Sequence, residues 1–348
     1  MTTDQNKHPI KDIGNNPFAN KFHHSGGGFK NPPDSPFKDG RRSLGMLKLI
    51  ADLAVSCNKS FEYPSSHVMS RDESLCQLKG HDTADSISWL GQACFYLTVG
   101  GVKILTDPFL SKRASPTSFS GPKRLTPSPL KITDLEVDVI VISHNHYDHL
   151  DLKTLSLWRD KNTPIVTTLG TSSPIKKLGY KHVIELDWYQ QTVVNGALIT
   201  CCPAYHFSGR SLFDSDKSLW GSFIFKAQGK SIYFAGDTGY GSEFSRIKEL
   251  VGEVDVALVP IGAYSPRNVM SQVHASPEEG LQIGLDLGAK TIVPMHWGTV
   301  RLTNEPMMEP IERFELAVKS LNAAPKTNGE TFGIGQTKYL DRMLVNGG

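Results

Sequence analysis

Nine residues, Ser143 to Asp151, read SHNHYDHLD and lie between the apolar run Val139 to Ile142 and a helical pattern over Leu152 to Arg159. A short run of branched apolar residues predicts a buried strand, and apolar residues recurring three and four apart predict a helix, so the string is a strand-to-helix turn. On such a turn His144 and His146 can point to one side, while Asp148 and His149 come round as the chain enters the helix. Imidazole nitrogen and carboxylate oxygen are ordinary partners of divalent zinc. Four of them within six residues, with no cysteine nearby, predict a metal-binding turn rather than a cysteine-type structural site.

Strand ends gather at one rim of a layered sheet, so further ligands are expected where a His or Asp follows another strand-like run. Three positions answer: His206 after Ile199 to Tyr205, Asp237 after Ile232 to Gly236 in YFAGDTG, and His296 after Ile292 to Met295 in VPMHWG. Each alone has an ordinary reading: a packed core histidine, a turn or N-cap aspartate, a strand-end hydrogen-bonder. Together with the turn they make seven ligands that divide into two sites sharing Asp237. Gly236 and Gly239 relieve the backbone where a turn passes close to a metal.

Strand-like runs continue at Ile87 to Leu90, Ala93 to Val99 and Val102 to Thr106, the last two joined across Gly100-Gly101. Others are Ile165 to Thr168, Ala197 to Cys202, Ser222 to Lys226, Ser231 to Ala235, Val254 to Val259 and Thr291 to Met295. Helical patterns alternate with them at Ser242 to Val251, Pro277 to Leu287 and Glu309 to Leu321, the second capped by Ser276 with Pro277 at its first position. This texture predicts an α/β layered architecture.

The hydrolase domain is expected over 81–348 and an N-terminal tail or wrapped arm over 1–80. Within the arm the Ser25 to Gly28 run is read as unable to hold a regular element, His23 and His24 as solvated, and 46–57, MLKLIADLAVSC, as a short helix that packs on the domain or docks on a membrane surface. A net charge of +2 and no basic, aromatic-interleaved stripe argue against a nucleic-acid partner. Five cysteines without paired spacing fit a reducing compartment, with Cys201 and Cys202 read as buried small hydrophobes on a strand. No signal pattern opens the chain and no run is long enough to span a bilayer, so a cytoplasmic or peripheral-membrane location is expected.

The ligand order, with the strings SWLGQACFYL, LTDPFLSKRASPTSFSGPKR, ISHNHYDHLD, VIELDWYQ, LWGSFIF, YFAGDTGYG, PIGAYSPR and MHWGTVRLTNEP, resembles the metallo-β-lactamase superfamily. Within it, the strings are similar to the branch of N-acyl-phosphatidylethanolamine-hydrolysing phospholipase D. The likeness runs from about Ser86 to Pro310. It implies an αββα sandwich with two zinc ions at one edge, His144, His146 and His206 on one and Asp148, His149 and His296 on the other, with Asp237 bridging. It also singles out Asp107, in LTDP, as a carboxylate behind the ligands and His274, in VHASPEE, as an active-site acid or substrate contact. Asp237, Asp148, His274 and Asp107 are thus the residues assigned to chemistry. Gln92 stands where the family often has His in WLGHA, which removes any proton-carrying role there.

Two metals can hold a hydroxide at neutral pH, which makes hydrolysis the expected reaction. The leading substrate is a glycerophospholipid phosphodiester, cleaved to phosphatidic acid and an N-acylethanolamine. A lactonase or amidase acting on a small-molecule ester or amide is the rival, and an assembly protein with an idle site the non-enzymatic alternative. His and Asp ligands also accept iron or manganese. The resemblance further implies a homodimer. Phe207, Leu212, Phe213 and Trp220 are candidates for an apolar lipid groove or for core.

Overall fold

The computed structural model describes residues 8–35, 59–80, 84–211, 213–321 and 327–345; the 46–57 segment and Leu212 lie outside them. The arm supplies three two-residue strands, β1 (Lys11–Asp12), β2 (His24–Ser25) and β3 (Gly28–Phe29). The next six strands are β4 (Ser86–Trp89), β5 (Phe95–Val99), β6 (Val102–Thr106), β7 (Val139–Ile142), β8 (Ile165–Thr168) and β9 (Val183–Leu186). Seven more follow: β10 (Gln190–Val194), β11 (Ala197–Cys202), β12 (Ser222–Ala227), β13 (Lys230–Phe234), β14 (Val256–Pro260), β15 (Thr291–Met295) and β16 (Asn328–Gly329). The last is β17 (Thr337–Tyr339).

These strands form two large sheets that divide the chain almost in order. One sheet runs β17-β4-β5-β6-β7-β8-β9 and the other β1-β10-β11-β12-β13-β14-β15-β16. Their facing sides make one core. Along β7 the alternation of a strand sends Val139 and Val141 into the inter-sheet core. Ile140 and Ile142 go to the outer face, under Leu155 and Ile175 of the helices Leu152–Leu157 and Ser172–Lys176. A strand buried on both faces must read as an unbroken apolar run, which is why VIVI does. Helices Glu243–Val251, Pro277–Asp286 and Glu309–Ser320 cover the other sheet, contributing Phe244, Ile247, Leu281, Ile283 and Phe314 to the core. Ser276 caps the second of these with a reciprocal bond from Glu279, worth about 1 kcal/mol.

Strand direction brings the candidate residues together. Strands β6 and β7 are parallel, as are β13, β14 and β15, and β11 runs with β13 across antiparallel β12. The C-terminal ends of β6, β7, β11, β13 and β15 therefore open on one rim, and each is followed within a few residues by Asp107, His144, His206, Asp237 or His296.

The expected elements fall within one or two residues of those observed, and Cys201 and Cys202 are buried on β11. Strand β9 has no counterpart among the expected strands, and neither has β10, whose Gln190 to Thr192 carry no apolar run. The Ser25 to Gly28 run does hold regular structure: it turns between β2 and β3, paired His24 with Phe29 and Ser25 with Gly28. His23 is not solvated but fully buried, stacked on Trp188 at 4.5 Å and bonded to Asp187 at 2.6 Å, while His24 reaches the other oxygen of that carboxylate at 2.8 Å. A polar arm can pack here because its polar groups find partners in sequence-distant segments. Among the described residues no helix is long and apolar enough to cross a membrane.

Candidate metal centre

The turn after β7 is held open by the helix behind it. Asp151 caps helix Leu152–Leu157 by accepting the N–H groups of Lys153 and Thr154, and its other oxygen accepts the Ser111 N–H and the Thr154 hydroxyl. After β13, Gly236 adopts a φ of +59°, and a Cβ there would lie 2.6 Å from Ser143 Cβ. Any larger residue would push apart the two turns that carry His144 and Asp237.

All seven expected ligands converge. His144, the half-buried His146 and His206 form one cluster and the buried Asp148, His149, Asp237 and His296 a second. In the first, His146 Nδ1 lies 2.9 Å from His144 Nε2 and 3.2 Å from His206 Nε2. In the second, Asp237 Oδ2 is 3.1 Å from His149 Nε2 and Oδ1 is 3.1 Å from His296 Nε2, with Asp148 Oδ2 3.3 Å from His296 Nε2. Asp237 Oδ2 also lies 3.8 Å from His206 Nε2, so this carboxylate touches both clusters.

Outer partners set the tautomers. His206 Nδ1 donates to the Val273 carbonyl at 2.9 Å, which leaves a lone pair on its Nε2. Asp107, wholly buried, accepts from His149 Nδ1 at 2.6 Å, from the Ser143 N–H at 2.7 Å and from the Ser143 hydroxyl at 2.5 Å. Because that hydroxyl spends its proton on Asp107, it accepts from His144 Nδ1 at 2.9 Å, leaving His144 Nε2 bare as well. The lone pairs of His144 Nε2 and His206 Nε2 thus point inward, while His149 Nε2 faces two carboxylates and it and the buried Asp237 Oδ1 make no hydrogen bond. Such a cavity is electrostatically incomplete without positive charge. This donor set, nitrogen and oxygen with backed histidines, fits divalent metal ions.

Burial, with the neighbouring His149, keeps His144 well below its ordinary value, and burial pushes His146 down to about 4 and His206 to about 3. For His149 and His296 burial acts the same way but is outweighed by Asp237 and Asp148, so that His149 titrates well above its ordinary value and His296 near 9. Despite burial, the surrounding histidines hold Asp148 and Asp237 well below the carboxylate range.

His274 sits over this centre, its ring 5.1 Å from His206 and 5.5 Å from His296, with Nδ1 buried and unpartnered and burial depressing its titration to about 3. Gln92 donates its side-chain amide to Asp148 Oδ2 at 2.8 Å, and its backbone carbonyl accepts the His296 backbone N–H at 3.1 Å. Ser143 and Asn31 escaped the sequence reading. Ser143 lay beside the motif and could have been found there; nothing local signals Asn31.

The family pattern described as the beta-lactamase superfamily domain matches residues 102–297. The chain belongs to the metallo-β-lactamase superfamily. Its relatives place it beside that superfamily's phospholipase D-like branch. It is 42% identical over 238 residues to the mitochondrial N-acyl-phosphatidylethanolamine-hydrolyzing phospholipase D of Saccharomyces cerevisiae, covering 66% of this chain and 51% of the yeast protein. It is 36% identical over 263 residues to N-acyl-phosphatidylethanolamine-hydrolyzing phospholipase D 1 of Caenorhabditis elegans, covering 72% of this chain and 74% of that one. The chain spans 66% of the length of the Mycobacterium tuberculosis relatives that match it at 39% identity. Among solved structures, a metallo hydrolase of Ignicoccus hospitalis superposes with a TM-score of 0.54 at 23% identity, over 74% of this chain and 98% of that one, a likeness of fold.

Proposed function

We propose that this chain is a two-metal hydrolase that cleaves the phosphodiester of N-acyl-phosphatidylethanolamine, releasing phosphatidic acid and an N-acylethanolamine. The observation that carries the hydrolytic reading is the convergence of seven side chains, six buried and His146 half-buried, into two clusters sharing Asp237. The names of the yeast and worm relatives support the substrate. An apolar wall beside the first cluster supports a lipid: Phe207 packs 4.7 Å from the His146 ring and 4.8 Å from His206, and joins Met270, Val273 and Val269. Trp220, read as a groove candidate, is core, and Phe213 is 83% exposed.

His144, His146 and His206 would hold one ion, Asp148, His149 and His296 the other, and Asp237 both. Zinc suits the donors, and iron or manganese would also be accepted. Ions held here would supply Lewis acidity, lowering the pKa of bound water to about 7 and drawing charge from a phosphoryl oxygen. The protein's own contribution is orientation. Asp107 fixes His149 directly and His144 through Ser143, Val273 fixes His206, and Gln92 fixes Asp148, so the donors are aimed before an ion arrives. His274, held neutral at physiological pH, is suited to a hydrogen bond with substrate rather than to delivering a proton as imidazolium.

Zinc-loaded wild type and Asp237→Asn should be assayed on N-acyl-phosphatidylethanolamine beside a lactone and a simple phosphodiester. Lipid cleavage lost in the variant is the expected result. Turnover of the lactone or the simple diester alone would leave the metal site standing and remove the lipid.

A further inference from the structure

The arm over 8–35 lies outside the family match at 102–297, yet it reaches the centre. Asn31 is 8% exposed, and its side chain makes three hydrogen bonds. Nδ2 donates to the His206 carbonyl at 2.8 Å, and Oδ1 accepts the His206 N–H at 2.9 Å and the Trp220 indole N–H at 3.1 Å. A carboxamide, donor and acceptor side by side, matches the N–H and C=O of a single residue. With the Nδ1 bond to Val273, three of the four polar groups of His206 are then committed, and only Nε2 is left to point into the cluster.

The same arm is anchored on both sides of Asn31. Upstream, His23 and His24 grip Asp187, and the Phe29 N–H donates to the Asp216 carbonyl at 2.8 Å. That approach is tight: a Cβ on Gly28 would lie 2.4 Å from the Asp216 carbonyl oxygen. Downstream, Asp34 accepts the Tyr205 hydroxyl at 2.7 Å and the Ser242 N–H and hydroxyl at 3.0 and 2.7 Å. The arm thus straps the Tyr205-His206 turn from outside.

We propose that Asn31 is a positioning residue for the His144, His146, His206 cluster, and that the arm is the strap that delivers it. This rests on the metal-centre reading above but not on the substrate. Asn31→Ala would leave two buried backbone groups of His206 short of partners, while the Trp220 indole N–H keeps its bond to the Ala204 carbonyl at 3.0 Å. Asn31→Asp keeps the acceptor and removes the donor, setting a carboxylate against the His206 carbonyl with little change of shape. Both should loosen His206 while leaving Asp148, His149 and His296, which the arm does not touch.

The test is stepwise binding of cobalt(II) to wild type, Asn31→Asp and Asn31→Ala, by chelator competition and visible spectrum, with His206→Ala and His296→Ala to assign the steps. Loss of an outer partner costs about 10- to 100-fold in metal affinity, so the three-imidazole step should weaken by about that factor in both Asn31 variants while the other step moves by less than about threefold. Unchanged steps, or two that fall together, would overturn the proposal. Coupling is reciprocal, so a second reading needs no variant: cobalt binding to wild type should slow amide exchange at 29–34 and leave the helix Arg71–Gly80 unchanged. Arm exchange indifferent to the ion overturns it too. A wild type that takes no ion at the cluster removes the metal-centre reading and this one together. A wild type that takes two ions but spares N-acyl-phosphatidylethanolamine removes only the substrate.

Discussion

The two clusters lie against one another and behave oppositely toward protons, one made of three imidazoles and the other of two imidazoles and two carboxylates. In the three-imidazole cluster burial wins, so His146 and His206 stay neutral down to about 4 and 3. In the other, Asp148 and Asp237 outweigh burial, so His149 and His296 hold protons above their ordinary range, His296 to about 9. The number of carboxylates decides the difference, not depth, since His144 and His206 of the first cluster are as deeply buried as His149 and His296 of the second. One site is poised with bare lone pairs; the other must exchange protons for its ion.

Asp237→Asn should break both sites at once, because this carboxylate faces His149, His296 and His206. Its loss should exceed the roughly 100-fold ceiling of an outer partner, read as kcat with metal content falling below two ions per chain. Retention of two ions with near-native kcat would show that the clusters do not share it.

The pH response comes next. Between pH 8 and 6 the His149 and His296 protons compete with the ion, and each displaced proton costs about tenfold in affinity per pH unit. Binding at the carboxylate-rich cluster should therefore weaken steeply as pH falls, while the three-imidazole cluster, with no proton to lose above about pH 5, stays nearly level. Chelator titrations at the two pH values check this, and parallel slopes would erase the distinction.

Asp107→Asn should reduce metal affinity by about 10- to 100-fold, more at the carboxylate-rich cluster, where it holds His149 directly, than at the other, where it acts through Ser143. Equal losses would place its influence elsewhere. The smallest effect is expected of His274→Gln. A general acid would cost about 10²- to 10⁴-fold in kcat, whereas a neutral contact should cost less than about tenfold and show mainly in KM. A large kcat loss with a vanished pH limb would return His274 to the role of acid.

Much of this was legible before any coordinates. The strands whose apolar runs are unbroken, Val139–Ile142 and Val256–Pro260 among them, are readable because both of their faces are buried and every position must then be apolar. The seven candidate ligands are readable because His144, His206, Asp237 and His296 sit just past strand-like runs and His146, Asp148 and His149 follow His144 in one turn. Strand β10 was not, since Gln190 and Gln191 pair with the equally polar Lys11 and Asp12 at a sheet edge. His23 was read as solvated because burial of a polar side chain depends on a partner, and its partner, Asp187, is 164 residues away.

The sequence by itself determined the candidate ligand types, their order and the strand ends that present them, because these follow from local periodicity and from the chemistry of imidazole and carboxylate. Tertiary structure alone decided which lone pairs face inward, which cluster holds protons, and that a polar arm closes on His206 through Asn31. Those outcomes depend on hydrogen bonds and field strengths between groups up to 175 residues apart, and no local pattern records them.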